Sequence, residues 1–433
     1  MRWHRHFTLL TVFLLLMGSL FGLLTVPKPN GTNSVQAMHH DDMSSPVNST
    51  RHKNGHWIGT WSASPQQPHG EGVSHRGFNN ETVRMIVHPH LSGKAIRLKF
   101  SNAFGENPLT IGKVTVAKTK KGSHIRPGTL RDVTFGGTES ITVPAGARAL
   151  SDPVKLPVSY GEDLTVSVYF PGETGPSTWH RLSRQTSYIS ISGDHTAELN
   201  GVAYKTEVEG WFYLEAVDVL AQPSVKGAIV TLGDSITDGH SSTLNANHRW
   251  PDYLAERIQR QGKGRQYSVL NSGISGNKIL RDSPVYGVNA LARLDRDVLT
   301  QSGATHVILL EGINDIGHEP HTFDANKIIA GMKQIVDQVH ASGLKVYGGT
   351  LTPFEGTTIE GYYTEEGEQT RQEVNRWIRT GGYFDGVIDF DKALRDPENP
   401  LRLKPEFDSG DHLHPNDKGY KAMAEAVNLS LFK

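Results

Sequence analysis

The sequence predicts an α/β domain preceded by an all-β region, and three observations carry the prediction. Between Trp57 and about Ser224, short alternating stretches are punctuated by Gly, Pro, Asn and Asp, which is the pattern of half-buried strands joined by turns. From Lys226 onward, five short apolar stretches alternate with amphipathic helical ones, as in a parallel sheet covered on both faces. The chain has 433 residues, room for two or three domains at roughly 150 residues each.

Composition narrows the chemistry. Lys and Arg total 44 and Asp and Glu total 45, so there is no basic excess of the kind that nucleic acid or an anionic membrane surface requires. There is no cysteine, which excludes a disulfide framework, a thiol nucleophile, thiolate zinc and iron–sulfur clusters. Any nucleophile is an oxygen or a nitrogen, and any metal has to sit on His, Asp or Glu.

Arg2 and Arg5 precede an uncharged apolar run of 20 residues, Phe7 to Val26, which Pro27 and Pro29 end. Residues 1–37 are expected to be a signal peptide or a membrane anchor. Val35-Gln36-Ala37 supplies a small-residue cleavage pattern. Residues 38–54 are expected to be a flexible linker, and His39, His40, His52 and His56 are read as solvated polar residues rather than a metal site. On this reading the remainder is secreted or anchored at the outer surface.

The β region is assigned to residues 55–224. Its strand candidates include Thr82–Val87, Ala95–Phe100, Lys113–Ala117, Leu164–Phe170, Tyr188–Ser192 and Phe212–Leu220. Many short strands with frequent turns suggest a sandwich or jelly roll. Trp211-Phe212-Tyr213 reads as core packing in preference to a sugar platform. The second domain is assigned to residues 225–433. Its strands are Ala228–Leu232, Tyr267–Leu270, Thr305–Leu310, Leu344–Tyr347 and Gly386–Phe390. Helices are expected over Pro251–Gln261, Val288–Leu299, Asp324–Ser342, Glu365–Arg379 and Asn416–Phe432. This alternation predicts a flavodoxin-like three-layer sandwich with a five-stranded parallel sheet.

Ligands of such sheets bind beyond the carboxyl ends of the strands, so the residues following each strand are the candidates. These are Gly233-Asp234-Ser235-Ile236-Thr237-Asp238-Gly239, then Asn271-Ser272-Gly273-Ile274-Ser275-Gly276-Asn277, then Glu311-Gly312-Ile313-Asn314-Asp315, and, before the last helix, Asp411-His412-Leu413-His414-Pro415. A serine, Gly-rich turns, an asparagine and an Asp-x-x-His converge on one rim. They are the parts that acyl transfer needs: a nucleophile, oxyanion donors, a base and its orienter.

These four blocks, in this order over about 200 residues, resemble the SGNH/GDSL hydrolase family. Trp57-Ile58-Gly59-Thr60-Trp61-Ser62-Ala63-Ser64-Pro65, followed by a β region, is similar to the secreted two-domain members of that family, and so is Arg249-Trp250-Pro251. The resemblance implies Ser235 as nucleophile, His414 as general base and Asp411 as its orienter. It also implies an oxyanion hole built from the Ser235 and Gly276 backbone N–H groups and the Asn314 amide. His412 is the rival to His414 and Asp408 the rival to Asp411; family register and the following Pro415 favour His414. Asp234 and Asp238 are read as structural rather than metal-binding, and His306 and His318 as incidental.

No G-x-S-x-G, H-E-x-x-H or P-loop occurs. The expectation is therefore a serine esterase working without cofactor or metal on an ester substrate, with O-acetyl or other short acyl groups on polysaccharide as the leading candidate. It includes no nucleic-acid partner, and membrane association only through the N-terminal segment. The alternatives are a lipase or arylesterase acting on free esters and, in another class, a non-catalytic surface protein that binds glycans.

Overall fold

In the computed structural model the first described strand, His56–Ser62, is mostly buried. The structure describes residues 56–261 and 267–432, so the expected signal or anchor and the linker lie outside the described residues. Among the described residues, no helix is long and apolar enough to cross a membrane.

Two antiparallel sheets make up most of the β region. One has four strands in the order His56–Ser62, Leu214–Ala221, Ile96–Ser101 and Arg148–Leu150. The other runs in the order Tyr204–Glu209, Thr186–Ser192, Glu81–Val87, Leu164–Phe170, Lys113–Lys121 and His124–Ile125, with Arg131–Val133 also paired to Lys113–Lys121. Alternation decides which side is buried: in Ile96–Ser101 the apolar Ile96, Leu98 and Phe100 are buried while Arg97 and Lys99 are only partly so. Trp211, Phe212 and Tyr213 are all at or below 4% exposure, and the indole N–H of Trp211 donates to the Ile86 carbonyl. They therefore serve as core, with no face free for a sugar.

The α/β part contains five parallel strands: β1 (Gly227–Gly233), β2 (Tyr267–Gly273), β3 (Ala304–Leu310), β4 (Lys345–Gly349) and β5 (Gly386–Ile388), in the spatial order β2-β1-β3-β4-β5. Every residue of β1 is buried, which is why its sequence does not alternate and is apolar but for Thr231, whose hydroxyl donates to the Leu270 carbonyl. The helices are α1 (Ser235–Asp238), α2 (Trp250–Arg260), α3 (Ala290–Leu294), α4 (Ile313–Gly317), α5 (Ala325–Ala341), α6 (Glu365–Thr380), α7 (Phe390–Leu394) and α8 (Asp417–Ala426). They pack in two groups, α2 with α7 and α8, and α3 to α6 among themselves. Capping sets several of their starts. Asp324 accepts from the Asn326 N–H, Thr364 from the Gly367 N–H, and Asn416 from the Lys418 and Gly419 N–H groups.

Three expectations need correction. The last helix does not reach Phe432. It stops at Ala426 because Val427 is extended and its carbonyl is taken by Arg257 of α2 at 3.0 Å, and a short 3-10 turn, Leu429–Phe432, follows. The fifth strand ends at Ile388 rather than Phe390, since Asp389 caps the short α7 by accepting from the Lys392 N–H. The helix expected over 288–299 divides into α3 and a π turn, Asp295–Leu299, a form that recurs near functional sites.

The described residues form a single packed unit, and one continuous buried cluster runs through both regions. Along the seam, the Gly59 N–H donates to the Ser302 carbonyl and the Ser62 hydroxyl to the Asn271 carbonyl.

Candidate active site

The first strand end supplies Ser235. Asp234 is the N-cap of the single-turn helix α1: its Oδ1 accepts from the Ile236 N–H at 2.9 Å. This cap turns the chain sharply and leaves Ser235 at the head of α1. A side chain at Gly233 would meet the Leu310 carbonyl at 2.5 Å and Thr237 at 2.2 Å, so strand and turn approach closely only with glycine there.

Ser235 Oγ lies 2.8 Å from His414 Nε2, and His414 Nδ1 lies 2.6 Å from Asp411 Oδ2. Asp411 Oδ1 also accepts the backbone N–H groups of Leu413 at 3.0 Å and His414 at 2.8 Å. The three-residue spacing is thus a turn folded around one carboxylate. Burial works to raise the Asp411 pKa, but the hydrogen bond and charge of His414, with the two N–H donors, outweigh it and hold the carboxyl well below its usual range. An ionised Asp411 accepts only, so it fixes the proton on Nδ1 and leaves Nε2 as the base toward the hydroxyl.

The second strand end supplies a tight turn. The Asn277 N–H donates to the Ile274 carbonyl at 3.0 Å, and Gly276 has φ +79°, the left-handed third residue of a type II turn. A Cβ at Gly276 would stand 2.3 Å from the Tyr286 ring. Glycine is therefore required by backbone conformation and by Tyr286, rather than only to leave space for a ligand. The N–H groups of Ser235 and Gly276 donate to no other described residue.

The third strand end supplies Asn314, 2% exposed. Its Oδ1 accepts from the buried Tyr362 hydroxyl at 2.9 Å, which orients the amide; Nδ2 donates one proton to the Asn277 carbonyl at 2.9 Å and has a second to offer. Asp315 accepts from the Ile279 and Leu280 N–H groups at 2.8 and 3.0 Å and ties this strand end to the turn, although burial pushes its pKa up to about 6. Beneath the rim Arg293 is fully buried. It donates to the Gly233 carbonyl at 2.9 Å, the Ser272 carbonyl at 2.7 Å and Asn277 Oδ1 at 2.9 Å, and pairs with Asp297 at 3.1 Å.

Ser235, Gly276, Asn314 and His414 line one pocket of about 190 Å³ together with Tyr286 and His318. The rivals lie elsewhere. His412 is exposed at φ +60° and pairs with Asp408, outside this pocket. Asp238 is occupied by His180 and the Ser275 N–H. His306 packs among Tyr267, Tyr347 and Phe432.

Sequence reasoning passed over several residues of the pocket. His318, which the sequence reads as incidental, stacks on Tyr286 with ring centroids 5.0 Å apart. His240 lies 4.1 Å from the His414 ring, centroid to centroid; burial and the neighbouring His414 lower its pKa to about 4, so it is neutral at neutral pH. A histidine just after Gly239 was its one signal: Gly239 has φ +101°, and the reversal lets the His240 N–H donate to the Ser235 carbonyl at 2.9 Å. His240, Asp411 and His414 bring three metal-capable atoms within 4.8 Å of one another, but Asp411 and both His414 nitrogens are already used in the Ser235 chain. Arg181 and Leu182 come from the β region. Arg181 is exposed and makes no side-chain hydrogen bond or ion pair among the described residues.

The arrangement can take a proton from Ser235 onto His414, stabilise the resulting imidazolium, and offer three N–H donors to a developing oxyanion. Residues 231–422, a little under half of the chain, match the GDSL-like lipase/acylhydrolase family. Solved structures similar to this chain include a putative lipolytic protein of the G-D-S-L family from Desulfitobacterium hafniense (21% identity, 46% of this chain and 96% of that one, TM-score 0.36). Another is Est24, a carbohydrate acetylesterase from Sinorhizobium meliloti (17%, 46% and 95%, 0.37). A third is the aryl esterase of M. smegmatis (18%, 46% and 95%, 0.37). No curated protein matches.

Proposed function

We propose that the chain is an exported serine esterase that removes O-acetyl or other short acyl groups from carbohydrate, a reading that the match of residues 231–422 to the GDSL-like lipase/acylhydrolase family supports. The observation that carries the serine mechanism is the chain Ser235 Oγ to His414 Nε2 at 2.8 Å and His414 Nδ1 to Asp411 at 2.6 Å. Ser235 Oγ attacks the ester carbonyl carbon as its proton passes to His414 Nε2. The Ser235 and Gly276 N–H groups and the Asn314 amide hold the oxyanion. Collapse expels the alcohol oxygen, which takes the proton from His414. Water then attacks the acyl-enzyme, giving its proton to His414, and the acid leaves as Ser235 is reprotonated.

A pocket of about 190 Å³ is small beside the ~300–1,000 Å³ of sites for larger ligands, which favours a short acyl group. Arg181 at its edge offers unpaired N–H donors to sugar oxygens. In this reading the α/β part is a flavodoxin-like three-layer sandwich, the β region an accessory sandwich, and residues 1–37 and 38–54 an export signal or anchor and its tether. Hydrolysis of p-nitrophenyl acetate by wild type and Ser235→Ala tests the mechanism, and equal rates would end it. Acid released from acetylated xylan, compared with long-chain esters, tests the substrate; faster turnover of the long-chain esters would favour the lipase alternative.

A further inference from the structure

The β region reaches the site through a buried histidine that the mechanism above does not use. His180 lies at the end of a two-residue strand, Trp179–His180, and is 3% exposed. Its Nδ1 is 2.9 Å from the Ser64 carbonyl oxygen and its Nε2 is 2.9 Å from Asp238 Oδ1. Both partners are acceptors, so both nitrogens carry protons when both bonds are made, and the ring is an imidazolium. Burial opposes that charge, but Asp238 more than offsets it and the pKa is raised. His90, Arg249 and Asp252 are the other charged or titratable groups around the small cavity that His180 and Asp238 line.

The other oxygen of Asp238 accepts from the Ser275 N–H at 2.8 Å. Ser275 is the second residue of the turn Ile274–Asn277, and Gly276 is the third. The peptide between them carries the Gly276 N–H, one of the oxyanion donors. In a type II turn, rotation of this central peptide swings that N–H from one side of the turn to the other. Asp238 grips the turn immediately before that peptide, and His180 grips Asp238. The far side of the turn is held separately, by Arg293 on Asn277 Oδ1.

We propose that His180 of the β region is a positioning residue for ester hydrolysis: through Asp238 it fixes the Ser275–Gly276 peptide, and with it the oxyanion hole, so that the β region completes the active site. This rests on the serine-esterase reading above. Binding of the ground-state ester does not depend on the contact; stabilisation of the tetrahedral oxyanion does.

The test uses the full chain carrying His180→Leu or His180→Gln, with p-nitrophenyl acetate as substrate and a short alkylboronic acid as oxyanion mimic. For His180→Leu, kcat is expected to fall about 10–100-fold, the scale of a sub-ångström to 1 Å misplacement, with KM within about threefold of wild type. Boronate affinity should fall by the same factor as kcat. Glutamine keeps a donor for Asp238 and should recover most of both. Should His180→Leu fail to fold, Asp238→Asn and His180→Gln carry the same comparison. A folded His180→Leu or Asp238→Asn with kcat within about twofold of wild type, or with unchanged boronate affinity, overturns the proposal. Ser235→Ala, run alongside, separates the two failures: if that variant keeps activity, the serine mechanism falls; if it is inert while the His180 variants match wild type, only the positioning role falls.

Discussion

His414–Asp411 at the strand rim and His180–Asp238 at the seam between the two regions are the same chemical pair, with N–O distances of 2.6 and 2.9 Å. The partner of the second ring nitrogen differs. For His414 it is the Ser235 hydroxyl, which can give up a proton and come back for it. For His180 it is the Ser64 carbonyl, which can only accept. The first ring therefore has a nitrogen free to act as a base, and the second is locked in its charged form as a strut. A His–Asp pair does not by itself mark a catalytic base; the group on the far side of the ring decides.

Substitutions along the rim can break this contrast. His414→Ala should reduce kcat by about 10⁴-fold or more, measured with p-nitrophenyl acetate, because the serine loses its only positioned base. A loss no larger than that of a seam variant would mean that His414, too, is only structural. Asn314→Ala should cost about 10²–10³-fold in kcat, or ~2.7–4 kcal/mol, with KM little changed; an effect confined to KM would make Asn314 a binding group.

A third histidine sharpens the comparison, since it has no carboxylate hydrogen-bonded to it. Burial lowers the His306 pKa to about 4, with Lys345 adding to the shift. A depressed histidine contributes stability that is present above its unfolded pKa near 6.5 and is lost as the pH falls toward 4. His306→Phe should consequently show a smaller drop in Tm between pH 7 and pH 5 than wild type, by calorimetry; an equal drop would place the acid sensitivity elsewhere. The smallest effect belongs to His412. His412→Asn, chosen because asparagine tolerates φ near +60°, should leave kcat within about twofold, since the exposed His412 ring lies outside the pocket that holds Ser235 and His414.

What the sequence reveals about this molecule follows from the range of the contacts. Ser235, Gly276 and Asn314 were legible because each follows a strand, and strand ends in a parallel sheet meet at one rim; the Asp411–His414 turn, which lies beyond α7, was legible from its Asp-x-x-His spacing before the last helix. The five strands were legible as apolar runs. His180 was not, since nothing local to Trp179-His180-Arg181 refers to Asp238, 58 residues away. Tyr362, 48 residues from Asn314, was hidden likewise. Gly276 was legible as a necessary glycine but for an incomplete reason, because Tyr286 and not only the substrate occupies the space beside it. The ends of α7 and α8 depend on Asp389 and on Arg257, a cap and a tertiary contact that periodicity does not carry.

The pairing of His56 with Ala221 has a kinetic consequence. The first described strand finds its sheet partner only after the whole β region has been made, and it packs against β2, which comes later still. Closing so long a loop adds little to the equilibrium cost, which grows only with the logarithm of length. It does place pairings of high sequence separation on the folding path, and such chains fold slowly. The oxyanion turn, gripped from the β region, should be among the last parts to become ordered, so that during refolding native-like secondary structure appears before the first turnover.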